Sequence, residues 1–289
     1  MIIKIFEALL FFIIPHPLNA ALRRLLGQKV ESGVKIHIFS FILTKNLIVG
    51  RGASIAPFCI LQAYEIRMGD FARIAPCVII RAQLIKGACF HIGKHSRVFP
   101  FCWIEPGEGV YIGDQVGVGA YSLIFTHGAW SDFLHNGPVK YGPVIIEDHV
   151  WLPWRVFVLP GVTIGRRSII GANSTVITSI PAHAMAAGCP AKILKSGVNM
   201  EMSSVEFEKR VEIIFSEYKK YCLRFDSNIP EVSSDNACFY RSHLGEKPSA
   251  KALINIDMSN YTCRVANGID PSNFLFFLIK YGIRLEKIK

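Results

Sequence analysis

An aliphatic residue recurs every six positions through most of this chain, and that beat limits the fold more than any other feature. Val49, Ile55 and Leu61 are six apart, and so are Met68, Ile74 and Ile80. Ile92, Val98 and Ile104 follow, then Ile112, Val118 and Ile124, then Ile146, Leu152 and Val158, and last Ile164, Ile170 and Val176. Gly or another small residue often stands next, as at Gly50, Gly69, Gly93, Gly113 and Gly165. The fifth position of a hexad is often small too: Ala53, Cys59, Cys102, Ser122, Ser168 and Ser174. A helix of period 3.6 cannot hold a six-residue beat on one face. A short strand followed by a tight corner can. Three such sides close a triangular coil, the aliphatic side chains point inward, and coils stack at about 4.8 Å with backbone groups paired above and below. The small residue after each aliphatic is expected to ease the corner backbone.

Six coils begin at Val49, Met68, Ile92, Ile112, Ile146 and Ile164, with spacings of 19, 24, 20, 34 and 18 residues. Departures from 18 read as loops leaving the corners. The longest follows the third side of the fourth coil, within "IFTHGAWSDFLHNGPVKYGPVIIEDHVW", residues 124 to 151, and His127 stands where the beat stops. Gly128, Gly137 and Gly142 permit turns in this loop. A histidine titrates near neutral pH, so it can take a proton from a hydroxyl or amine and give it back.

The beat, which covers residues 34–195, resembles that of the hexapeptide-repeat acyltransferases. The stretch "VWLPWRVFVLPGVTIGRRSIIGANSTVITSIPAHAMAAGCPAKIL" carries the likeness furthest, with its Trp, "LPGVTIG", "IGA", "IPA" and "AGCPAK". The family usually has Asn where Cys189 stands. The resemblance implies a left-handed parallel β-helix of about six coils, although crossover sterics alone would favour the right hand. It also implies acetyl-CoA as acyl donor, no metal, and a homotrimer with each site between two subunits. Sugar acetyltransferases that decorate surface polysaccharides or act on antibiotics look most similar.

On that resemblance His127 is the general base, and the acceptor oxygen attacks the thioester of acetyl-CoA. Glu105, one coil earlier on the same side, is the candidate partner of the imidazole. Some members carry Asn or Asp near position 101, where this chain has Phe101. Trp130, Asp132 and Tyr141 are the candidate acceptor contacts, with Phe133 a further ring. For the CoA phosphates the candidates are Arg166, Arg167 and Lys192, with Lys195 nearby, and Lys192 matches the basic residue that ends the family's "GNPA" signature. Ala172 matches a small residue lining the pantetheine path. Trp154 departs from the family's small residue and is expected to stack on the cofactor or block its usual track, and Thr178 stands where a Lys is common.

The expected reaction is O-acetylation of a sugar in a surface polysaccharide or its precursor, with N-acetylation of an amino sugar or nucleotide sugar as the alternative. A zinc hydratase is a second class, because β-helices of this kind also hold three-histidine zinc sites. His91, His95, His127 and His149 do not converge within one chain, which disfavours it. A non-catalytic β-helix is a third class, disfavoured by the loop and its histidine. The formal net charge of +10 favours acidic partners. There is no nucleic-acid motif, and none is expected as a partner. Eight scattered cysteines without a CxxC pair read as reduced thiols in a cytoplasmic protein.

Residues 1–33 form an apolar and amphipathic N-terminal segment. Ile2 to Ile14 is interrupted only by Lys4 and Glu7, which is shorter than the roughly 20 residues of a spanning helix. No small-residue cleavage site follows, so a cleaved signal peptide is not expected. The segment is expected either to pack against the protein or to lie at the cytoplasmic face of the inner membrane, with Arg23, Arg24 and Lys29 toward anionic headgroups. Residues 196–289 lose the beat and read as a small α/β appendage, with a helix near 201–225, strands in "NACFYRSH" and "ALINIDMSNYTCRV", and a last helix near Pro271. Its expected role is to cap the open end of the coil stack.

Overall fold

The structure, a computed structural model, describes residues 9, 11–129, 133–224, 237–240, 252, 254–258, 262–265, 272–279, 283 and 286–288. The chain divides into two compact units, Met1–Met200 and Glu201–Lys289.

The first unit is a parallel β-helix, and its register follows from the six-residue beat. On the first face Val49, Met68, Ile92, Ile112, Ile146 and Ile164 lie in register from coil to coil. Ile55, Ile74, Val98, Val118 and Leu152 form the second ladder, and Leu61, Ile80, Ile104, Ile124, Val158 and Val176 the third. All are buried. A further turn lies beneath the six: Val30, Ile36 and Ile42 pair with Val49, Ile55 and Leu61. Its spacing is also six, but it follows a helix rather than a coil and so stands outside the run of triplets. The stack ends where the hairpin Ala184–Gly188/Ala191–Ser196 turns antiparallel and places Ala184, Ala186 and Ala191 in the core.

The small residues answer two different needs. Gly69 lies where the next coil passes closest: a Cβ there would come 2.7 Å from the Lys94 nitrogen. Close stacking selects this glycine, rather than freedom of φ. The left-handed corner positions come two residues later and hold Phe71, His95 and Gln115, and Phe58, Phe101 and Tyr121 on the next corner. Buried serines replace backbone pairing inside the corners. Ser122 Oγ accepts from Val156 N–H and Ser168 Oγ from Ala184 N–H. Cys59 and Cys102 donate to the Ala75 and Gly119 carbonyls at 3.1 Å.

Every excursion from the beat leaves by one edge, between the third face and the next first face. The chain runs from Leu61 to Met68, Ile80 to Ile92, Ile104 to Ile112 and Ile124 to Ile146 there, and only Val158 to Ile164 keeps six. The other two edges hold six throughout. The long loop is therefore the largest of a row along one edge.

Where it is described, the N-terminal segment packs in part against the first unit; residues 1–8 and 10 lie outside the described residues. Phe11 is buried and Phe12 packs edge-on against Phe39. Arg23, on the helix Leu18–Leu25, is 1% exposed, sits over the Phe11 ring and donates to Asn19 and Gln28. Arg24 donates to the Val30 and Glu31 carbonyls. Arg23 is thus enclosed by the protein's own side chains, while Arg24 is exposed and bonds the backbone. Among the described residues no helix is long and apolar enough to cross a membrane.

In the second unit the helix Ser204–Arg224 starts with a capping box, Ser203 and Glu206 bonding reciprocally. Strands Ala237–Tyr240, Ile254–Asp257, Thr262–Val265 and Glu286–Ile288 form one sheet, and a second helix spans Ser272–Ile279. Phe215, Tyr218, Phe274 and Phe277 dominate its core.

Candidate active site

The chain leaves the third face after strand Leu123–Phe125 and rises as an antiparallel pair, His127–Ala129 against Val139–Tyr141. Thr126 forms the neck. It is fully buried, its Oγ1 donates to the Glu105 carbonyl at 2.8 Å, and the same oxygen accepts from Glu108 N–H at 3.0 Å. Gly142 N–H closes the loop on the Thr126 carbonyl. A Cβ on Gly142 would stand 3.0 Å from Gly161 Cα, so the return of the loop needs a residue without a side chain.

His127 and Glu105 face each other on this neck. Glu105 ends strand Trp103–Glu105, in register with Phe125, two residues before His127. His127 Nε2 lies 3.8 Å from Glu105 Oε1, with the two side chains 38% and 33% exposed. That is too long for a hydrogen bond but close enough for the carboxylate to stabilise an imidazolium electrostatically. Glu105 therefore approaches the Nε2 side of the ring, whereas Nδ1 faces Gly107. The Tyr141 ring stacks on His127 at 6.0 Å, which makes it a wall beside that imidazole. Thr126 was not singled out in the sequence. Its signal was present: a hydroxyl at the last position before the beat breaks, where neighbouring hexads have no hydroxyl.

The other predicted residues occupy other edges. Arg166 and Arg167 lie on the corner after the first face, where Arg166 N–H donates to Glu147 and the Arg167 carbonyl accepts from Asn199. Trp154 and Ala172 lie on the corner after the second face. Trp154 is 58% exposed and meets Trp151 edge-on. Lys192 is exposed on the closing hairpin. One face, roughly six residues at about 3.3 Å each, separates neighbouring edges. Within one chain these residues do not meet His127. Trp130 and Asp132 lie outside the described residues.

No family model matches the chain. A Schizosaccharomyces pombe protein assigned by name to the acetyltransferases is 30% identical over 161 residues, 47% of this chain and 78% of that one. The chain belongs to the hexapeptide-repeat acetyltransferases. Galactoside O-acetyltransferase of Escherichia coli K12 is 34% identical over 111 residues, 38% of this acetyltransferase and 55% of the relative. The E. coli protein WcaF, named for colanic acid biosynthesis, is 30% identical over 106 residues and 58% of its length. The chain thus spans little more than half of these two relatives. Among solved structures, the Vibrio cholerae hexapeptide-repeat acetyltransferase VCA0836 complexed with acetyl coenzyme A is similar at a TM-score of 0.38 and 23% identity, over 63% of this chain and 78% of that one. AntD, an N-acyltransferase of Bacillus cereus in complex with dTDP and coenzyme A, is similar at 0.43 and 21%, over 59% and 90%.

Three other histidines weighed for a metal site in this acetyltransferase, His91, His95 and His149, are placed apart from His127. His91 bonds Glu65 at 2.7 Å, His95 stacks on Phe71, and His149 lies beside Arg167. Burial first, and Arg167 second, hold the His149 pKa below its ordinary value. Among the described residues no group of three His, Cys, Asp or Glu could hold a metal ion. Burial pushes the Cys59 and Cys102 thiols up to about 11 and about 12, so both stay protonated in the core.

Proposed function

We propose that this acetyltransferase moves an acetyl group from acetyl-CoA to a hydroxyl of a sugar in a surface polysaccharide or its precursor. The observation that carries this reading is the His127–Glu105 pair at the mouth of the one long loop. Nε2 takes the proton of the acceptor hydroxyl as its oxygen attacks the thioester carbonyl. The tetrahedral intermediate collapses, the C–S bond breaks, and His127 returns the proton to the CoA sulfur. Glu105 stabilises the imidazolium between the two transfers. The likeness to galactoside O-acetyltransferase favours a hydroxyl over an amine as acceptor.

The three-edge placement supports a homotrimer. A second copy packed beside the first would bring Trp154, Ala172, Arg166, Arg167 and Lys192 toward the His127 edge of its neighbour, and Arg166 and Lys192 are exposed cations suited to CoA phosphates. The fold that goes with this reading is the left-handed form of the β-helix, and the location is cytoplasmic. Peripheral membrane contact, on the same reading, rests on residues 2–14 through side chains such as Leu9 and Ile13, 56% and 65% exposed.

The test is incubation with acetyl-CoA and a panel of glycans, nucleotide sugars and amino sugars, with products read by mass. His127→Ala is expected to keep the assembly mass and lower turnover by roughly 10²–10⁴-fold. Transfer by that variant at the wild-type rate would remove His127 as the base, and acetylation confined to amines would replace the hydroxyl acceptor.

A further inference from the structure

Four coils below His127, on the same edge, the first unit has a polar cavity of about 390 Å³. Gln28, Lys29, Lys45, Asn46 and Glu65 line it, over aliphatic Leu47 and Ile48. The edge runs straight here, because Asn46, Glu65 and Cys89 stack in register.

The charges are unevenly settled. The Glu65 carboxylate is held by His91 Nε2 at 2.7 Å and by Arg67 at 3.2 Å. Lys29 and Lys45 are exposed, and among the described residues neither has a carboxylate within ion-pair distance. The cavity therefore offers two unpaired ammonium groups and the Asn46 amide, with its one carboxylate already compensated. Such a set suits an anion that also carries hydroxyl groups.

Its position adds a second argument. Lys45 follows Ile42 and His127 follows Ile124, four ladder steps apart through Leu61, Ile80 and Ile104. Four steps are about 19 Å at the usual strand spacing, the reach of about four linked sugars. Trp103, 45% exposed on the third face one coil below His127, offers a ring along the way.

We propose that the Lys29–Lys45 cavity is a distal subsite for a carboxylate-bearing sugar of a polymeric acceptor, whose chain runs along this edge to His127. The proposal rests on the sugar-acceptor reading above and narrows it to an acidic glycan several units long.

Calorimetric titration of the full chain tests it without acetyl transfer. The probes are hexagalacturonate, monomeric galacturonate, neutral maltohexaose and inorganic phosphate. The variants are Lys29→Gln, Lys45→Gln and the double substitution, each checked for unchanged thermal unfolding. Hexagalacturonate is expected to bind the wild type, to bind the double variant about tenfold more weakly, as befits two exposed ion pairs of a few-fold each, and to bind more tightly than the monomer. Maltohexaose affinity should change less than twofold. Equal hexagalacturonate affinity in wild type and double variant, or no binding to either, would overturn the subsite. Phosphate and monomer binding as tightly as the hexamer would reduce it to a simple anion site and overturn the extended path. Should binding behave as expected while no glycan accepts acetyl, the subsite stands and the acetyl-acceptor reading fails.

Discussion

Replacing Glu105 by Gln removes one negative charge beside His127 and keeps nearly the same shape. The partner atoms are 3.8 Å apart. Two unit charges at that distance interact by about 4 kcal/mol at an effective dielectric of 20 and about 1 kcal/mol in bulk water. Both side chains are about one-third exposed, 38% and 33%, so solvent screening places the interaction at the low end, about 1–2 kcal/mol. On the proposed mechanism the imidazolium arises between the two proton transfers, so the loss falls on the transition state. That corresponds to a fall in kcat of about 5–30-fold with KM for acetyl-CoA unchanged. The assay is steady-state acetylation of whichever glycan the wild type accepts, followed by product chromatography at 20 mM and 500 mM salt. Part of the deficit should disappear at high salt, where the wild type loses the same attraction to screening. A Gln variant within twofold of wild-type kcat at low salt would refute the electrostatic role. So would a loss confined to KM.

Three further outcomes follow from the same geometry. Thr126→Val deletes the hydroxyl that ties Glu105 and Glu108 together and removes the partner of the part-buried Glu108 N–H; stability should fall by about 1 kcal/mol in thermal or denaturant unfolding, with Thr126→Ser restoring most of it. The lowered pKa of His149 means that the folded protein binds this proton less readily than the unfolded chain, so its contribution to stability is present above the ordinary value of 6.5 and is lost as pH falls from there through the lowered one. His149→Asn, which suits the left-handed backbone at φ 59, should therefore show a smaller drop in Tm between pH 7.5 and pH 5.5 than the wild type. Brief iodoacetamide treatment of the native protein at pH 8 should modify exposed Cys189 and spare Cys59 and Cys102, read by peptide mass; alkylation of either buried thiol at the same rate would contradict the packing.

Much of the prism could be read directly because a ladder repeats one local decision. Each hexad of the Met68–Ile74–Ile80 kind places one aliphatic inward, and the next coil must match it, so the period alone specifies strand, corner and register. The same logic reached Glu105 and His127, since both follow the third face of successive coils. It missed Thr126, whose role lies in hydrogen bonds to residues about twenty positions away. It left open whether the segment around Arg23 and Arg24 packs on the protein or meets a membrane. Charge in a sequence reads as exposure, but folding set Arg23 over Phe11 and against Asn19, and Arg24 against the backbone of the turn beneath the first coil.

The sequence by itself determined the triangular coil, its three apolar ladders and the place where the chain breaks away, because side-chain periodicity acts locally and identically in every turn. Only the tertiary structure decided that all the loops share one edge, that Glu105 meets His127 at Nε2, and that the cofactor candidates stand on two other edges. Those facts depend on how coils rotate and stack in three dimensions, and a one-dimensional period does not record which corner faces which.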